Sequence, residues 1–291
     1  MAKKRKRTAK RRKKKAGFWR IVGKLIACAA KGVFYTCKGG FIAVRFFVRL
    51  GTRRAKKNAA KKLEKRMEKK IEKKRPKIDA NYSALTEIKK IKGNVSKFES
   101  ELLGKESVIG IIIGARGSGK SAIGMKLLEN FRTKTNKNVY AMGFRKEDLP
   151  GWISVVENIN QIKNDSVVLI DEGGIVFSSR KSMSTANQLL SDLLMIARHK
   201  NLSVLFITQN SSNLEVNVLR QADFLVMKPS SLLQKDFERK IIKNIYEKVA
   251  DDFEEHSDDK GLTYIHSSKF QGFVSNELPS FWSQKVSKAF K

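Results

Sequence analysis

Several things are scarce in this chain of 291 residues. There are only two cysteines, Cys28 and Cys37, with neither metal-ligand spacing nor a nearby histidine, which excludes a disulfide-built scaffold. Acid is missing from the whole front of the chain, where the first acidic residue is Glu64. The front also lacks a charge-free stretch of ~20 residues, which argues against a simple membrane-spanning helix. No internal repeat and no nucleic-acid recognition-helix motif is visible. At 41% hydrophobic residues, wholesale disorder is excluded as well.

What is abundant is positive charge, with 61 Lys+Arg against 28 Asp+Glu. Residues 1–78 hold 31 basic and 3 acidic residues, and residues 79–291 hold 30 basic and 25 acidic. A mildly basic globular part thus follows a very basic leader. Such a leader is built for a polyanion, nucleic acid or an anionic membrane, although a solvated tail would carry charge too.

The leader has three parts. Residues 1–17 are a low-complexity Lys/Arg tract, expected to be disordered in isolation and to bind phosphates without sequence preference. In a eukaryotic setting it could also serve as a nuclear address. Residues 18–52 are mostly apolar and contain no acid. Their basic residues Arg20, Lys24, Lys31, Lys38, Arg45 and Arg49 fall within about 60° of one another on a helix. A wide apolar face with a narrow basic stripe suits an anionic membrane surface first, with a helix packed on its own copies or on a coat or capsid protein as the alternative. Lys24 and Lys31 interrupt the apolar core, so the segment does not read as a cleaved signal peptide. The expected location is the cytoplasmic face of a membrane, or the virion or host cytoplasm, and not a secreted one. Residues 53–78 favour a charged helical stalk with Glu64, Glu68 and Glu72 at every fourth position, ending at Pro76. A solvated helix without a specific role fits them as well.

The remaining residues predict an α/β domain over 79–260, with a hairpin and helix appended at 261–291. Val108–Ile113 is a short β-branched run typical of a buried parallel strand. It leads into Gly114-Ala115-Arg116-Gly117-Ser118-Gly119-Lys120-Ser121, after which a helical pattern begins. This is G-x-x-x-x-G-K-S in the strand–loop–helix context that the phosphate-binding loop requires. The glycines let successive N–H groups face phosphate oxygens, and the helix start adds its positive end. Lys120 reaches the β- and γ-phosphates, and the Ser121 hydroxyl ligates Mg²⁺. The expected cofactors are therefore ATP and Mg²⁺.

Two further strands end in polar residues. Ser166–Ile170 runs into Asp171, placed to hold a water on Mg²⁺, and Glu172, placed to activate the attacking water. That pair makes the chain a hydrolase rather than a kinase. The strand Leu202–Gln209 ends by presenting Thr208 and Gln209, and the Gln209 amide could sense the γ-phosphate. Asn138–Met142 and Phe224–Lys228 read as further strands. Helices are expected at about 184–200 and, as one long amphipathic helix, at about 231–254. Alternating strands and helices predict a mainly parallel, RecA/FtsK-like sheet with ligands at the strands' carboxyl ends.

The loop, the Leu169-Ile170-Asp171-Glu172 run and the stretch Ala197–Gln209 with its Arg198-His199 resemble the FtsK–HerA superfamily of DNA-pumping P-loop ATPases. Within it, they are most similar to zonula occludens toxin-like filamentous-phage assembly proteins and to genome-packaging ATPases of archaeal and membrane-containing viruses. The resemblance covers roughly residues 105–230 and not the leader. It implies an oligomeric ring, usually a hexamer, that moves sequence-nonspecific duplex DNA through its pore at the expense of ATP. It also implies an arginine supplied in trans, with Arg220 favoured and Arg198 and Arg180 as alternatives. Zonula occludens toxin-like proteins usually carry their membrane segment after the ATPase domain, whereas the candidate anchor here precedes it. The leading expectation is therefore a viral genome-packaging motor. The alternatives are a membrane-anchored assembly or secretion ATPase and, lower, a nucleotide-gated DNA-condensing virion protein.

Overall fold

The computed structural model describes residues 21, 58, 60–172, 191–214 and 216–287. The expected basic tract 1–17, nearly all of segment 18–52 and Arg180 lie outside these residues. The chain divides into two compact units, Met1–Lys69 and Lys70–Lys291. In the first, residues 60–69 are helical and exposed, including the apolar Leu63 and Met67. Among the described residues no helix is long and apolar enough to cross a membrane.

The second unit is organised by one nine-stranded sheet. Its strands are β1 (Thr86–Gly93), β2 (Ile109–Ile113), β3 (Asn138–Met142), β4 (Ser154–Val155), β5 (Ser166–Asp171), β6 (Leu202–Thr208), β7 (Phe224–Met227), β8 (Leu262–Ser267) and β9 (Phe270–Ser275). Their spatial order is β1-β9-β8-β7-β2-β6-β5-β3-β4. Strands β7-β2-β6-β5-β3-β4 are parallel to their neighbours. The other three extend the β7 edge in antiparallel fashion. The chain thus has an α/β P-loop fold with a mainly parallel sheet. The 262–275 hairpin is not an appendage but part of that sheet.

The helices are α1 (Val95–Gly104), α2 (Lys120–Lys134), α3 (Val216–Gln221), α4 (Leu232–Phe237), α5 (Lys240–Lys248), α6 (Ala250–Glu255) and α7 (Gln284–Ser287). Residues 191–197 are helical too. Asn94 starts α1 by accepting the Lys97 N–H at 3.0 Å. The apolar runs are continuous because both faces of the parallel strands are covered. Ile112, Leu169, Leu205 and Ile207 pack on one face with Ile123, Leu127, Leu128 and Phe131 of α2. Ile111, Val168, Ile170 and Phe206 pack on the other with Leu193, Ala197 and Val218.

The single long helix expected over 231–254 is instead three short ones. Glu238 leaves helical geometry, with ψ at 154°. Its buried carboxylate accepts the Ser211 N–H at 2.8 Å, and the neighbouring Arg239 guanidinium donates to the Ser211 and Leu214 carbonyls. These off-helix bonds compete with the local helical ladder, and a second break falls at Val249. The outer strand β1 escapes the period-2 pattern because its register shifts twice, between Glu87 and Lys89 and between Lys90 and Lys92.

Two sets of bonds hold the start of the second unit. The Arg75 guanidinium is buried and donates to three carbonyls of the loop ahead of β4: Leu149 at 3.0 Å, Pro150 at 2.5 Å and Ile153 at 2.5 Å. Trp152 Nε1 donates to the Ile78 carbonyl at 3.0 Å. Further along, α2 receives the chain. Asn81 N–H donates to Glu129, and Ser83 exchanges two bonds with the Asn130 amide.

Candidate functional site

The strand order puts β6 between β2 and β5, with Ile113 opposite Thr208 and Asp171 opposite Ile207. Three strand ends therefore open on one edge: the loop after β2, Asp171-Glu172 after β5, and Thr208-Gln209 after β6. Register alone gathers residues that lie far apart in sequence.

The loop 114–119 runs on positive φ at Gly114 (155°), Gly117 (79°) and Gly119 (95°), a region that side-chain-bearing residues rarely adopt. Gly114 is also crowded, since a Cβ there would stand 2.7 Å from Lys228 Cβ. Gly119 forms the left-handed N-cap of α2. Lys120 is buried and folds back over the loop, donating to the Gly114 carbonyl at 2.8 Å and the Ala115 carbonyl at 2.7 Å. Burial lowers its pKa to about 8, against the opposing charge of Asp171. Inside the loop the Ser118 hydroxyl is buried with no hydrogen-bond partner among the described residues. Arg116 is exposed. A glycine-rich turn at a helix start, one unpaired hydroxyl and an ammonium held by neutral carbonyls fit a polyphosphate.

Ser121 Oγ stands 3.4 Å from Asp171 Oδ2. A hydroxyl and a carboxylate sharing one point suit a hard divalent cation that takes its remaining ligands from phosphate and water. Among the described residues no group of three or more His, Cys, Asp or Glu could hold a metal by itself. The donor set thus fits Mg²⁺ arriving with a nucleotide and does not resemble a resident metal centre.

Glu172 is buried next to Asp171, and its Oε2 accepts the Thr208 hydroxyl at 2.6 Å. Its pKa is raised, first by burial and further by the Asp171 charge, against the Thr208 hydrogen bond. A carboxylate so shifted is a better proton acceptor than an exposed one. On β6 it is Thr208 that makes this contact. The Gln209 side chain is exposed, and its carbonyl is held by the Gln234 amide. Sequence reasoning placed both residues at the strand end and read the Gln209 amide as a γ-phosphate sensor, without anticipating the Thr208 contact with Glu172.

Arg198 and Arg220 are exposed and precede the starts of β6 and β7, so they belong to the opposite edge of the sheet from their own loop. Gly114–Ser121, Asp171, Glu172 and Thr208 come together, and these two arginines do not join them. Sequence reasoning missed Lys228, whose side chain lies against the loop. The available signal was a lysine directly after an apolar strand on the same edge.

Comparison with known proteins gives a partial likeness. The model of the zonular occludens toxin (Zot) family matches residues 124–228, about a third of the chain. Among solved structures, the DNA-packaging ATPase B204 of Sulfolobus Turreted Icosahedral Virus is 18% identical over 60% of this chain and 98% of its own, with a TM-score of 0.41. The N-terminal domain of zonular occludens toxin from Neisseria meningitidis is 14% identical over 64% of this chain and 99% of its own, with a TM-score of 0.33. No curated protein matches the chain.

Proposed function

We propose that this chain is an ATP-driven DNA translocase, most simply a viral genome-packaging ATPase working as a ring of copies. The observation that carries the reading is the buried Asp171-Glu172 pair across from the phosphate loop, with Glu172 fixed by Thr208. Phosphate binding alone needs no such base, whereas hydrolysis does.

The loop N–H groups and α2 receive the phosphates. Lys120 exchanges its two carbonyls for phosphate oxygens. Ser121 and Asp171 would hold Mg²⁺, which would supply positive charge against the phosphates. Glu172 takes the proton of the attacking water, and Thr208 keeps its carboxylate aimed. In a ring, Arg220 of one copy is the candidate to meet the nucleotide of the next. The leader supplies the grip on DNA through residues 1–17, and residues 18–52 supply the attachment to an anionic membrane or a coat protein.

The test is phosphate release by the purified full-length chain with and without duplex DNA. DNA is expected to stimulate it, and Lys120→Ala is expected to lower it by about 100-fold or more. Wild-type turnover indifferent to DNA sinks the translocase reading. The zonular occludens toxin match favours a second reading, a membrane-anchored assembly or secretion ATPase that moves protein subunits. Deleting residues 1–15 separates the two. Loss of DNA affinity with vesicle binding intact supports the first, and unchanged DNA affinity supports the second.

The Lys120 pKa of about 8 gives a pH prediction. Phosphates favour the ammonium, so the bound pKa lies above the free one. Binding therefore takes up protons at and above about pH 8, and affinity for Mg-ATP falls as pH rises through that range. Titration calorimetry in two buffers of different ionisation enthalpy reads the uptake directly. Proton release on binding contradicts the assignment.

A further inference from the structure

Lys228 follows β7 at the sheet edge that carries the phosphate loop, and its side chain is only 1% exposed. Its backbone is tied to that loop on both sides. Lys228 N–H donates to the Ile113 carbonyl at 2.8 Å, and the next carbonyl, Pro229, accepts the Ala115 N–H at 2.9 Å. The Lys228 carbonyl accepts the Tyr246 hydroxyl at 3.0 Å. The side chain then passes along the loop. A Cβ on Gly114 would stand 2.7 Å from Lys228 Cβ, and one on Gly119 would stand 3.5 Å from Cε and 3.7 Å from Nζ.

The ammonium ends among three oxygens. It donates to the Gly261 carbonyl at 2.9 Å, the Leu262 carbonyl at 2.9 Å and Asn276 Oδ1 at 3.1 Å. Gly261 precedes β8, Leu262 opens it, and Asn276 follows β9. One side chain thus pins both ends of the hairpin beside the loop. None of the three partners is a carboxylate. Burial lowers the pKa to about 8, with Asp259 opposing.

A buried cation without a paired carboxylate is expensive, and a methionine would fill the same space at no electrostatic cost. Hairpin packing alone therefore does not explain a lysine. A positive charge in the wall of a phosphate loop does, because an anion bound there meets it across a low-dielectric gap. The three carbonyl-type acceptors hold that charge in place without cancelling it.

We propose that Lys228 is a positioning residue of the phosphate loop, one that fixes Gly114 and Gly119 in their phosphate-binding shape, adds charge behind them and latches the 262–275 hairpin to the loop. The proposal rests on the nucleotide-binding reading above. Lys228 acts through the loop and touches no reacting atom. Its loss should weaken nucleotide binding and leave the chemical step nearly intact.

The experiment compares wild type, Lys228→Met and Asn276→Ala as full-length chains. It measures Mg-ATP and Mg-ADP affinity by calorimetry, together with kcat and KM for phosphate release. Lys228→Met is expected to weaken Mg-ATP binding and raise KM by about tenfold, with kcat within about threefold of wild type. The loss should be larger for ATP than for ADP, since a charge effect scales with phosphate charge and a packing defect does not. Asn276→Ala keeps the lysine but frees one of its anchors, and about a threefold rise in KM is expected. That variant decides the matter if Lys228→Met fails to fold. Lowered melting temperature with unchanged ATP affinity, or an equal loss for ATP and ADP, overturns the role of Lys228 alone. Wild type that binds no Mg-ATP overturns both this proposal and the nucleotide reading.

Discussion

Glu172→Gln is expected to slow phosphate release by roughly two to four orders of magnitude while Mg-ATP still binds. Glutamine keeps the length and volume of the side chain and can accept the Thr208 hydroxyl as the carboxylate does at 2.6 Å. What it cannot do is take a proton from water. Removing the charge next to Asp171 relieves repulsion at the metal point, so nucleotide affinity should hold or rise. Burial already favours the neutral acid at Glu172, which makes a neutral amide well tolerated there. Single-turnover phosphate release and Mg-ATP titration on the same preparation provide the check. A variant that hydrolyses within about tenfold of wild type removes Glu172 from the role of base.

Glu129→Ala is expected to cost about 3–5 kcal/mol of stability, the largest loss from one side chain away from the site. Glu129 is fully buried on α2 and pairs with the equally buried Lys126 at 2.9 Å. It also accepts Asn81 N–H at 3.0 Å and Ser280 N–H at 3.2 Å, together with the Ser280 hydroxyl. Alanine leaves the Lys126 ammonium with the Asn81 carbonyl in place of a counter-charge, and strands at least two backbone N–H groups in the interior. The double variant Lys126→Met with Glu129→Gln removes both charges and keeps an acceptor, so it should recover more than half of the loss. Denaturant unfolding of the three proteins tests this. Equal stability of Glu129→Ala and wild type contradicts the account.

The placement of the candidate site residues was legible because it is written locally. Each strand ends in the residues it presents, so Lys120, Ser121, Asp171 and Glu172 could be placed from short words, and the parallel sheet followed from strands alternating with helices. The register that sets Thr208 on Glu172 is a matter of which strands are neighbours, and no local pattern encodes it. Lys228 and Glu129 were illegible for a related reason. Their partners Gly261, Asn276, Asn81 and Ser280 are tens of residues away, and a lysine or glutamate in a helix or after a strand is ordinary until its surroundings are known. The breaks at Glu238 and Val249 show the same limit, since apolar spacing favours one helix and Ser211 captures the carboxylate from elsewhere.

The anchorage of Arg75 has a mechanical consequence. Anchors along one chain are loaded in order, so a pull arriving from the leader meets Arg75 first, on three carbonyls of the 149–153 loop, and Trp152 next at Ile78. Only when both yield does tension reach Glu129 and Asn130, on the helix that begins at Lys120. The grip beside β4 would therefore act as a strain relief, taking up a load applied ahead of Arg75 before it reached α2 and the loop at its start.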